Sequence, residues 1–284
     1  MILTTKNCTH LAAKLAKFKR AALLKYQVKQ FADGEYYYRL HYSKKPKTIT
    51  LLANITPDPG SLFELLALAQ AAQDSGIIIG TLCIPYLGYS RQDRQSARGE
   101  AVMARMIANT VNHIPAQRRI FIDLHSDAVR AMFAPHDEIF CLPFITQALF
   151  AEGVDVVVAP DKGATARARQ VAGDAPVIVM LKHRPRHNVV GRVHMLYPVQ
   201  GKRVLMVDDM IDTGRTIASA ARVLKKQGAE SIIVAATHGV FSAPSYKILS
   251  AAPIDKILVS DTLSPRAPLH ARVVSIARHL SAAL

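Results

Sequence analysis

The sequence predicts an α/β fold of two similar domains, each with a mainly parallel sheet flanked by helices. Short apolar runs alternate with helical stretches along the chain, and this alternation is typical of parallel sheets that are covered on both faces. The pattern occurs twice, before and after a proline-containing stretch near residues 135–143. We therefore predict one domain in residues 1–142 and a second in residues 143–284, with the last helix a candidate to pack back on the first domain.

The predicted strands and helices follow from the positions and lengths of these apolar runs and helical stretches. Apolar runs predict strands at 48–54, 77–83, 119–124, 154–159, 176–181, 203–208, 231–237 and 255–260. Helices are predicted between them, near 60–74, 100–112, 164–173, 215–227 and 244–250. Ligands of such sheets collect at the carboxyl ends of the strands. Four polar residues follow a predicted strand directly or by a few positions: Arg91, His125, Asp161 and Asp208.

Composition excludes several classes of protein. With 284 residues, of which 50% are hydrophobic, the chain can form two cores of ordinary size. No apolar stretch reaches the roughly 18 residues that span a bilayer, so we predict no membrane partner. The cysteines, Cys8, Cys83 and Cys141, are far apart and form no C-x-x-C motif. They indicate a reducing cytoplasm, and we expect them to be buried.

The basic charge allows two further interpretations. Residues 1–30 contain six Lys, one Arg and no acid, in a partly amphipathic pattern, so an organellar targeting peptide is an alternative; the absence of Ser and the single Arg disfavour it. The net charge of +15 allows nucleic-acid binding. Away from the amino terminus, however, two groups of basic residues lie at 91–105 and 182–192, beside the phosphate-binding segments described below. We therefore predict a basic funnel for nucleotide and sugar phosphate, and no nucleic-acid partner.

Residues 204–216 carry the clearest chemical signal. An apolar run stops at Asp208 and Asp209 and continues through a turn with Gly214 into an Ala-rich helical stretch. A helix that begins there would offer backbone N–H groups and a favourable dipole to an anion. The two carboxylates would accept hydrogen bonds from sugar hydroxyls or hold a Mg2+ shell. The alternative is a strand end followed by Asp212 or Thr213 as an ordinary helix N-cap.

This segment resembles the ribose-5-phosphate loop of ribose-phosphate pyrophosphokinases (phosphoribosyl diphosphate synthases), with their phosphoribosyltransferase-type domains. Four other regions resemble the same family in the same order: residues 31–35 (Phe-Ala-Asp-Gly-Glu), 84–94 (with Arg-Gln-Asp), 123–125 (Asp-Leu-His), and 159–167 followed by 182–184 (Lys-His-Arg). The stretch at 95–102 is similar to short, archaeal-type members. Regulation by phosphate or ADP is therefore not carried over.

The resemblance implies a diphosphoryl transfer from MgATP to ribose 5-phosphate. It assigns the sugar phosphate to Asp208, Asp209, Asp212, Thr213, Gly214, Arg215 and Thr216. The diphosphate loop would comprise Asp161, Lys162, Gly163, Ala164 and Thr165. ATP would contact Phe31, Asp33, Glu35, Arg91, Gln92, Asp93 and His125. Mg2+ is the implied cofactor, with His125 and Asp161 as ligands, and Lys182 and Arg184 are the implied catalytic residues. The family also implies a homo-oligomer whose ATP site lies near a subunit interface, with Phe31 contributed by an adjoining subunit.

Plainer interpretations of these residues stay open at this point. Phe31 could be a core residue, and Arg91 and Gln92 could be ordinary surface residues. His125 could satisfy a backbone carbonyl, and Asp161 could cap the following turn. The basic segment at 182–198 could be a solvated loop. Rival functions are a type I phosphoribosyltransferase, disfavoured by the two-domain length, and a non-catalytic regulatory homologue, in which the basic segment is commonly interrupted.

Overall fold

The computed structural model describes residues 1–182, 193–194, 197–264 and 271–284, which form two units. Unit 1 comprises Met1–Ile139, Thr262–Ser264 and Ile276–Leu284. Unit 2 comprises Phe140–Asp261 and residues 271–275. Each unit has a hydrophobic core of its own.

Unit 1 is built on a five-stranded sheet in which all neighbours are parallel, in the order β1-β4-β5-β6-β7. Its strands are β1 (Ile2–Thr4), β2 (Lys25–Gln30), β3 (Tyr36–His41), β4 (Thr48–Leu52), β5 (Ile78–Ile84), β6 (Ala116–Ile122) and β7 (Asp137–Ile139). Its helices are α1 (Thr9–Lys19), α2 (Pro59–Asp74), α3 (Met103–Asn112) and α4 (Asp127–Arg130), with the later helix α9 (Ala277–Ala283) packed against α1. The strands β2 and β3 form a separate antiparallel hairpin.

Unit 2 is built on a six-stranded sheet, again parallel throughout, in the order β15-β14-β13-β12-β8-β9. Its strands are β8 (Val156–Ala159), β9 (Val177–Val179), β10 (Leu181–Lys182), β11 (Val193–His194), β12 (Arg203–Ile211), β13 (Ser231–Gly239), β14 (Lys256–Ser260) and β15 (Ala271–Val274). Its helices are α5 (Leu142–Ala151), α6 (Thr165–Ala172), α7 (Arg215–Lys226) and α8 (Ser245–Ser250).

These observations confirm the predicted fold class of two parallel α/β units. The central strands are apolar on both faces, and all four residues of β8 are buried, as expected of a strand covered by helices on two sides. Every predicted strand and helix is present with shifted ends. The three cysteines are buried, as predicted.

The elements that the apolar pattern did not predict are mostly exposed or short. Strand β2 has only half-exposed and exposed residues, so it lacks the apolar run by which a strand is recognised in a sequence. In β3, Tyr38 packs against the core while Tyr36 and Tyr37 are exposed. Within the described residues, no helix combines the length and apolar composition that crossing a membrane requires.

Candidate active site

The strand that carries the paired carboxylates is longer than the sequence predicts. It continues to Ile211, past the predicted end at residue 208, because β13 alongside it pairs as far as Gly239. Asp208 and Asp209 therefore lie within β12, which corrects their predicted place at its end. Strand β8, on the other side, pairs with β12 only as far as Met206. The acid pair thus lies beyond the last residue that β8 pairs, near the carboxyl edge of the sheet.

The turn after β12 has the geometry of an anion site. Gly214 is the N-cap of α7 and adopts a left-handed conformation, with φ of 74°. A Cβ there would lie 2.7 Å from Cγ of Leu249, so glycine is required by both backbone and packing. No side chain caps α7, and the alternative with Asp212 or Thr213 as N-cap is therefore wrong. The first N–H groups of a helix have no intrahelical acceptor and attract an anion.

The exposure of the side chains around this turn agrees with anion binding by the turn. Asp212, Thr213 and Thr216 are half-buried, whereas Arg215 is exposed at the first position of α7. Because the side chain of Arg215 is exposed, the inner side of the turn is available to backbone groups.

The acid pair is electrostatically strained. Oδ1 of Asp208 accepts the backbone N–H of Asp209 at 2.9 Å, and Asp209 is 3% exposed. Burial, then the negative charges of Asp209 and Asp161, raise the pKa of Asp208 well above its usual range, and Arg167 opposes this shift. Hydroxyl donors or a cation arriving here would stabilise the ionised carboxylates.

A buried arginine links the acid pair to the diphosphate loop. Arg167 is 7% exposed; its Nη2 lies 3.8 Å from Oδ2 of Asp209, and its Nη1 donates to the carbonyl of Gly163 at 3.3 Å. In the same loop, Oδ1 of Asp161 accepts the N–H of Ala164 at 3.3 Å. The plain interpretation of Asp161 as a turn cap therefore holds for one of its oxygens.

The remaining residues of the diphosphate loop follow directly after β8. Lys162 and Gly163 are exposed, Ala164 is buried, and Thr165 begins α6. The loop therefore presents exposed backbone and a lysine beside the carboxylate of Asp161.

In unit 1, His125 lies in a short loop between β6 and α4, residues 123–126, here called the His125 loop. Asp123 opens it with a positive φ of 43° and is 3% exposed. His125 itself is half-buried. The hydroxyl of Ser126 donates to Oδ2 of Asp93 at 2.7 Å, which ties this loop to the predicted nucleotide segment at residues 84–94.

The predicted nucleotide segment, residues 84–94, packs closely against the backbone that follows β4 in the same chain. The N–H of Gly88 donates to the carbonyl of Ile55 at 2.6 Å, and a Cβ at Gly88 would lie 2.7 Å from that oxygen. Beyond this contact, Arg91 and Gln92 are exposed. Their exposure agrees with a binding role and equally with ordinary surface residues.

The turn that joins β2 to β3, residues 31–35, is here called the hairpin tip. Phe31 is 53% exposed, so the interpretation of Phe31 as a core residue is wrong. Asp33 and Glu35 are also exposed, and Oδ1 of Asp33 accepts the N–H of Glu35 at 3.0 Å. The tip therefore presents an aromatic ring and two carboxylates to the outside.

The predicted catalytic residues fall at the border of the described chain. Lys182 ends β10, which pairs antiparallel with β11, Lys182 opposite Val193. Arg184 lies outside the described residues.

The predicted Mg2+ ligands, His125 and Asp161, belong to different units. Among the residues that the structure describes, His, Cys, Asp and Glu form no group of three or more that could hold a metal ion. Mg2+ in nucleotide enzymes takes one or two carboxylates and completes its shell with phosphate oxygens and water. The carboxylate of Asp161, beside the strained acid pair, fits such an ion.

Two family models and several known proteins are similar to this chain. Residues 1–114 match the family model described as the N-terminal domain of ribose phosphate pyrophosphokinase, and residues 151–276 match that of the phosphoribosyl synthetase-associated domain. A ribose-phosphate pyrophosphokinase of Prochlorococcus marinus is 36% identical over 90% of this chain and 80% of its own. The chain belongs to the ribose-phosphate pyrophosphokinase family. This confirms the resemblance on which the site residues were assigned.

Two further relatives set the extent of this similarity. The chloroplastic ribose-phosphate pyrophosphokinase 1 of Arabidopsis thaliana is 36% identical over 89% of the chain, which spans 65% of that protein's length. The crystal structure of phosphoribosylpyrophosphate synthetase from Mycobacterium smegmatis superposes with a TM-score of 0.89 at 30% identity, covering 100% of this chain and 96% of that one.

Three residues of this site were not assigned from the sequence. Arg167 lies in the segment quoted for the resemblance, but its contact with Asp209 requires β12 and α6 to be neighbours. Ser126 precedes a short helix, which is an ordinary N-cap signal, while its bond to Asp93 crosses 33 residues. Glu138, which contacts the His125 loop, has no recognisable sequence motif.

Proposed function

We propose that this protein transfers the β,γ-diphosphoryl group of MgATP to the anomeric hydroxyl of ribose 5-phosphate, giving 5-phosphoribosyl 1-diphosphate and AMP. The observation that carries the proposal is the arrangement at the end of β12. An acid pair, of which Asp209 is buried and Asp208 half-buried, stands a few residues before a glycine turn that opens the N-terminus of α7. These groups match the two ends of a pentose phosphate, its ring hydroxyls and its 5-phosphate.

The sugar phosphate would be held by charge at one end and by acceptors at the other. Backbone N–H groups of residues 212–216 would bind the 5-phosphate, with the hydroxyls of Thr213 and Thr216 as further donors. Asp208 and Asp209 would accept hydrogen bonds from the ring hydroxyls. Such donors stabilise the ionised carboxylates, so sugar binding would offset the burial and the repulsion that raise the pKa of Asp208.

The reaction is a displacement at the β-phosphorus. The anomeric oxygen forms a bond to that phosphorus, and the bond from phosphorus to the oxygen bridging the α-phosphate breaks. AMP leaves with the bridging oxygen, and the hydroxyl proton is released to water. Because such transition states spread negative charge over several oxygens, the protein contributes mainly position and positive charge.

The cations of the chain fit that task. Lys182 and Arg184 would stabilise the transferring group, and Lys162 with the backbone of residues 161–165 would hold the diphosphate. Mg2+, held by Asp161 and His125 together with the phosphates, would neutralise charge on the nucleotide. Arg91, Gln92 and Asp93 would contact the ATP.

The exposed hairpin tip supports a second part of the proposal, a homo-oligomer. Phe31, Asp33 and Glu35 contact no core in their own subunit, and a ring exposed in this way is suited to stack on the adenine of a neighbouring subunit's ATP. We propose that the ATP site is completed across a subunit interface. Sedimentation equilibrium would test this, because a monomer at assay concentrations contradicts it.

The decisive experiment is a product assay. The protein is incubated with ribose 5-phosphate and MgATP, and nucleotides and sugar phosphates are quantified together. We expect AMP and the diphosphorylated sugar in equal amounts, with neither formed when the sugar or Mg2+ is omitted. ADP as the nucleotide product would refute the transfer, and consumption of phosphoribosyl diphosphate with a free base would indicate the phosphoribosyltransferase instead.

The excess positive charge is assigned to these phosphates. We propose a cytoplasmic enzyme with no nucleic-acid partner. Retention on immobilised DNA that competing ATP does not reduce would contradict the assignment.

A further inference from the structure

Two carboxylates of unit 1 hold the His125 loop from opposite sides. The N–H of Leu124 donates to Oε1 of Glu138 at 2.8 Å, and the hydroxyl of Ser126 donates to Oδ2 of Asp93 at 2.7 Å. The residue before His125 and the residue after it are therefore each bonded to a carboxylate from another segment. This leaves the imidazole little freedom to move with its backbone.

Glu138 is built to serve this loop. It lies on β7 opposite Phe121 of β6, and its side chain is 9% exposed. Oε2 of Glu138 pairs with Nε of Arg130, and Nη2 of Arg130 donates to Oε1 at 3.1 Å. The same Nη2 donates to the carbonyl of Leu124 at 3.3 Å. One ion pair thus binds both the N–H and the C=O of Leu124.

The loop needs such support because its backbone is strained. Asp123 has a positive φ although it is not glycine, and it is buried. A residue in this conformation costs about 1–3 kcal/mol and persists where its surroundings over-determine it. The bonds to Glu138 and Asp93, together with that from the N–H of Asp123 to the carbonyl of Ile139 at 3.2 Å, supply that constraint.

We propose that Glu138 and Asp93 are positioning residues that fix the His125 loop for the magnesium nucleotide. The proposal rests on the function proposed above, in which His125 contacts MgATP. Glu138 acts through Leu124, and Asp93, besides the contact with ATP proposed above, acts through Ser126. Removing the Glu138 carboxylate leaves the Leu124 N–H and the Arg130 charge without this partner, which favours a rearranged loop.

The test measures MgATP binding directly, by titration calorimetry without the sugar, alongside the melting temperature and the KM for ribose 5-phosphate. Glu138→Ala should weaken MgATP binding by about 10- to 100-fold, the effect typical of residues that orient a metal ligand. The KM for the sugar should hold within about threefold, because the sugar-phosphate loop belongs to unit 2. Glu138→Gln keeps an oxygen acceptor for Leu124 and should recover most of the affinity.

The matched control is Asp137→Ala, one position earlier on β7. Its carboxylate is exposed and pairs with Nε of Arg118 at 2.5 Å, away from the His125 loop, so MgATP affinity should equal that of the wild type. A Glu138→Ala protein that melts earlier but binds MgATP normally overturns the positioning role. So does an equal loss of affinity for both substrates.

A double-mutant cycle tests the second carboxylate, and it serves if Glu138→Ala does not fold. Asp93→Ala and Ser126→Ala should each weaken MgATP binding, and the double variant should be no weaker than the weaker single variant. Additive losses would overturn the link, because groups that act through one bond are not additive.

The variant His125→Ala distinguishes a failure of this inference from a failure of the proposed function. If His125→Ala weakens MgATP binding and Glu138→Ala does not, the positioning role is wrong while the function stands. If His125→Ala binds MgATP as tightly as the wild type, the role of His125 in the proposed function fails, and the positioning role fails with it.

Discussion

Unit 2 carries its acidic site residues inside a parallel sheet, whereas unit 1 carries its predicted nucleotide residues on turns outside its sheet. Asp209 and Arg167 are almost completely buried, and Asp208 is under electrostatic strain. Phe31, Arg91 and Gln92 are exposed. The proposed sugar site is therefore formed by the fold at a cost in stability. The exposed residues Phe31, Arg91 and Gln92 cost little stability, and we expect them to act only when a ligand or another subunit covers them.

This difference predicts which substitutions should change both stability and kinetics and which should change kinetics alone. Changes at the acid pair and the glycine turn of unit 2 should alter stability and sugar kinetics together, since the same groups serve both. Changes at the hairpin tip should alter nucleotide kinetics and leave stability unchanged.

The largest effect is expected from the basic segment. Lys182→Ala and Arg184→Ala should each lower kcat by about 100- to 1000-fold, with KM values changed far less, because they act on charge that develops in the transition state. Steady-state kinetics measures this, with the exposed Lys202→Ala as control. Unchanged kcat with a raised KM for ATP would show that these residues only bind the nucleotide.

Gly214→Ala tests whether the turn is built for phosphate. The added Cβ meets Leu249 at a left-handed position, so we expect a loss of about 1–3 kcal/mol in the free energy of unfolding. The KM for ribose 5-phosphate should rise about tenfold or more, the effect of losing roughly 1.4 kcal/mol of binding. Denaturant unfolding and sugar kinetics measure both effects.

Gly173→Ala is the control for backbone strain alone. Gly173 also has a positive φ, of 54°, but no atom lies within 4 Å of its added Cβ. It should lose stability without any change in the sugar KM. An equal change in sugar KM for the two variants would remove the turn from the sugar site.

In unit 2, Asp208→Asn should raise the stability of the protein and weaken its function. Because the folded pKa of Asp208 is raised, the ionised carboxylate destabilises the native state increasingly as pH rises from its unfolded value, about 3.9, through the folded value. The variant should therefore be more stable at neutral pH, by on the order of 1 kcal/mol. The advantage should vanish in acid below both pKa values.

The same variant should raise the KM for ribose 5-phosphate about tenfold, because an amide accepts a hydroxyl hydrogen bond more weakly than a carboxylate. Melting curves across pH and sugar kinetics measure the two effects, with the exposed Asp174→Asn as control. A destabilised variant with a normal sugar KM would contradict both halves of the comparison.

Phe31→Ala should show the opposite separation. We expect the KM for MgATP to rise several-fold, by the roughly 1–3 kcal/mol that stacking of a base contributes, with no change in melting temperature. Phe63→Ala is the control, since Phe63 is equally exposed, at 54%, but lies on α2. Recovery of activity at low ATP on mixing Phe31→Ala with Lys182→Ala subunits would place Phe31 in a neighbour's site; the absence of recovery would place it in its own.

The smallest effect is expected at Arg215. Its side chain is exposed at the start of α7, so Arg215→Ala should change the KM for ribose 5-phosphate less than about threefold, within the range of a weak surface interaction. A larger increase would show that Arg215 turns inward and donates to the phosphate.

Much of the fold was predictable because its central strands are continuous apolar runs. The strands at 48–54 and 231–237 were predicted for that reason. The hairpin of β2 and β3 was not, since its residues are largely exposed and polar. The end of β12 was also misplaced, because β13 pairs with β12 past the polar Asp208 and Asp209 as far as Ile211.

The sequence by itself determined the two parallel α/β units, the glycine turn and the acids that precede it, since each depends on neighbours along the chain. Only the tertiary structure decided that Gly214 rather than Asp212 or Thr213 caps α7, that Arg167 reaches Asp209, and that Glu138 and Asp93 hold the two sides of His125. These contacts join residues 14 to 42 positions apart or depend on packing against Leu249. Local propensity carries no information about such partners, because they meet only when parallel strands bring their carboxyl ends to one edge.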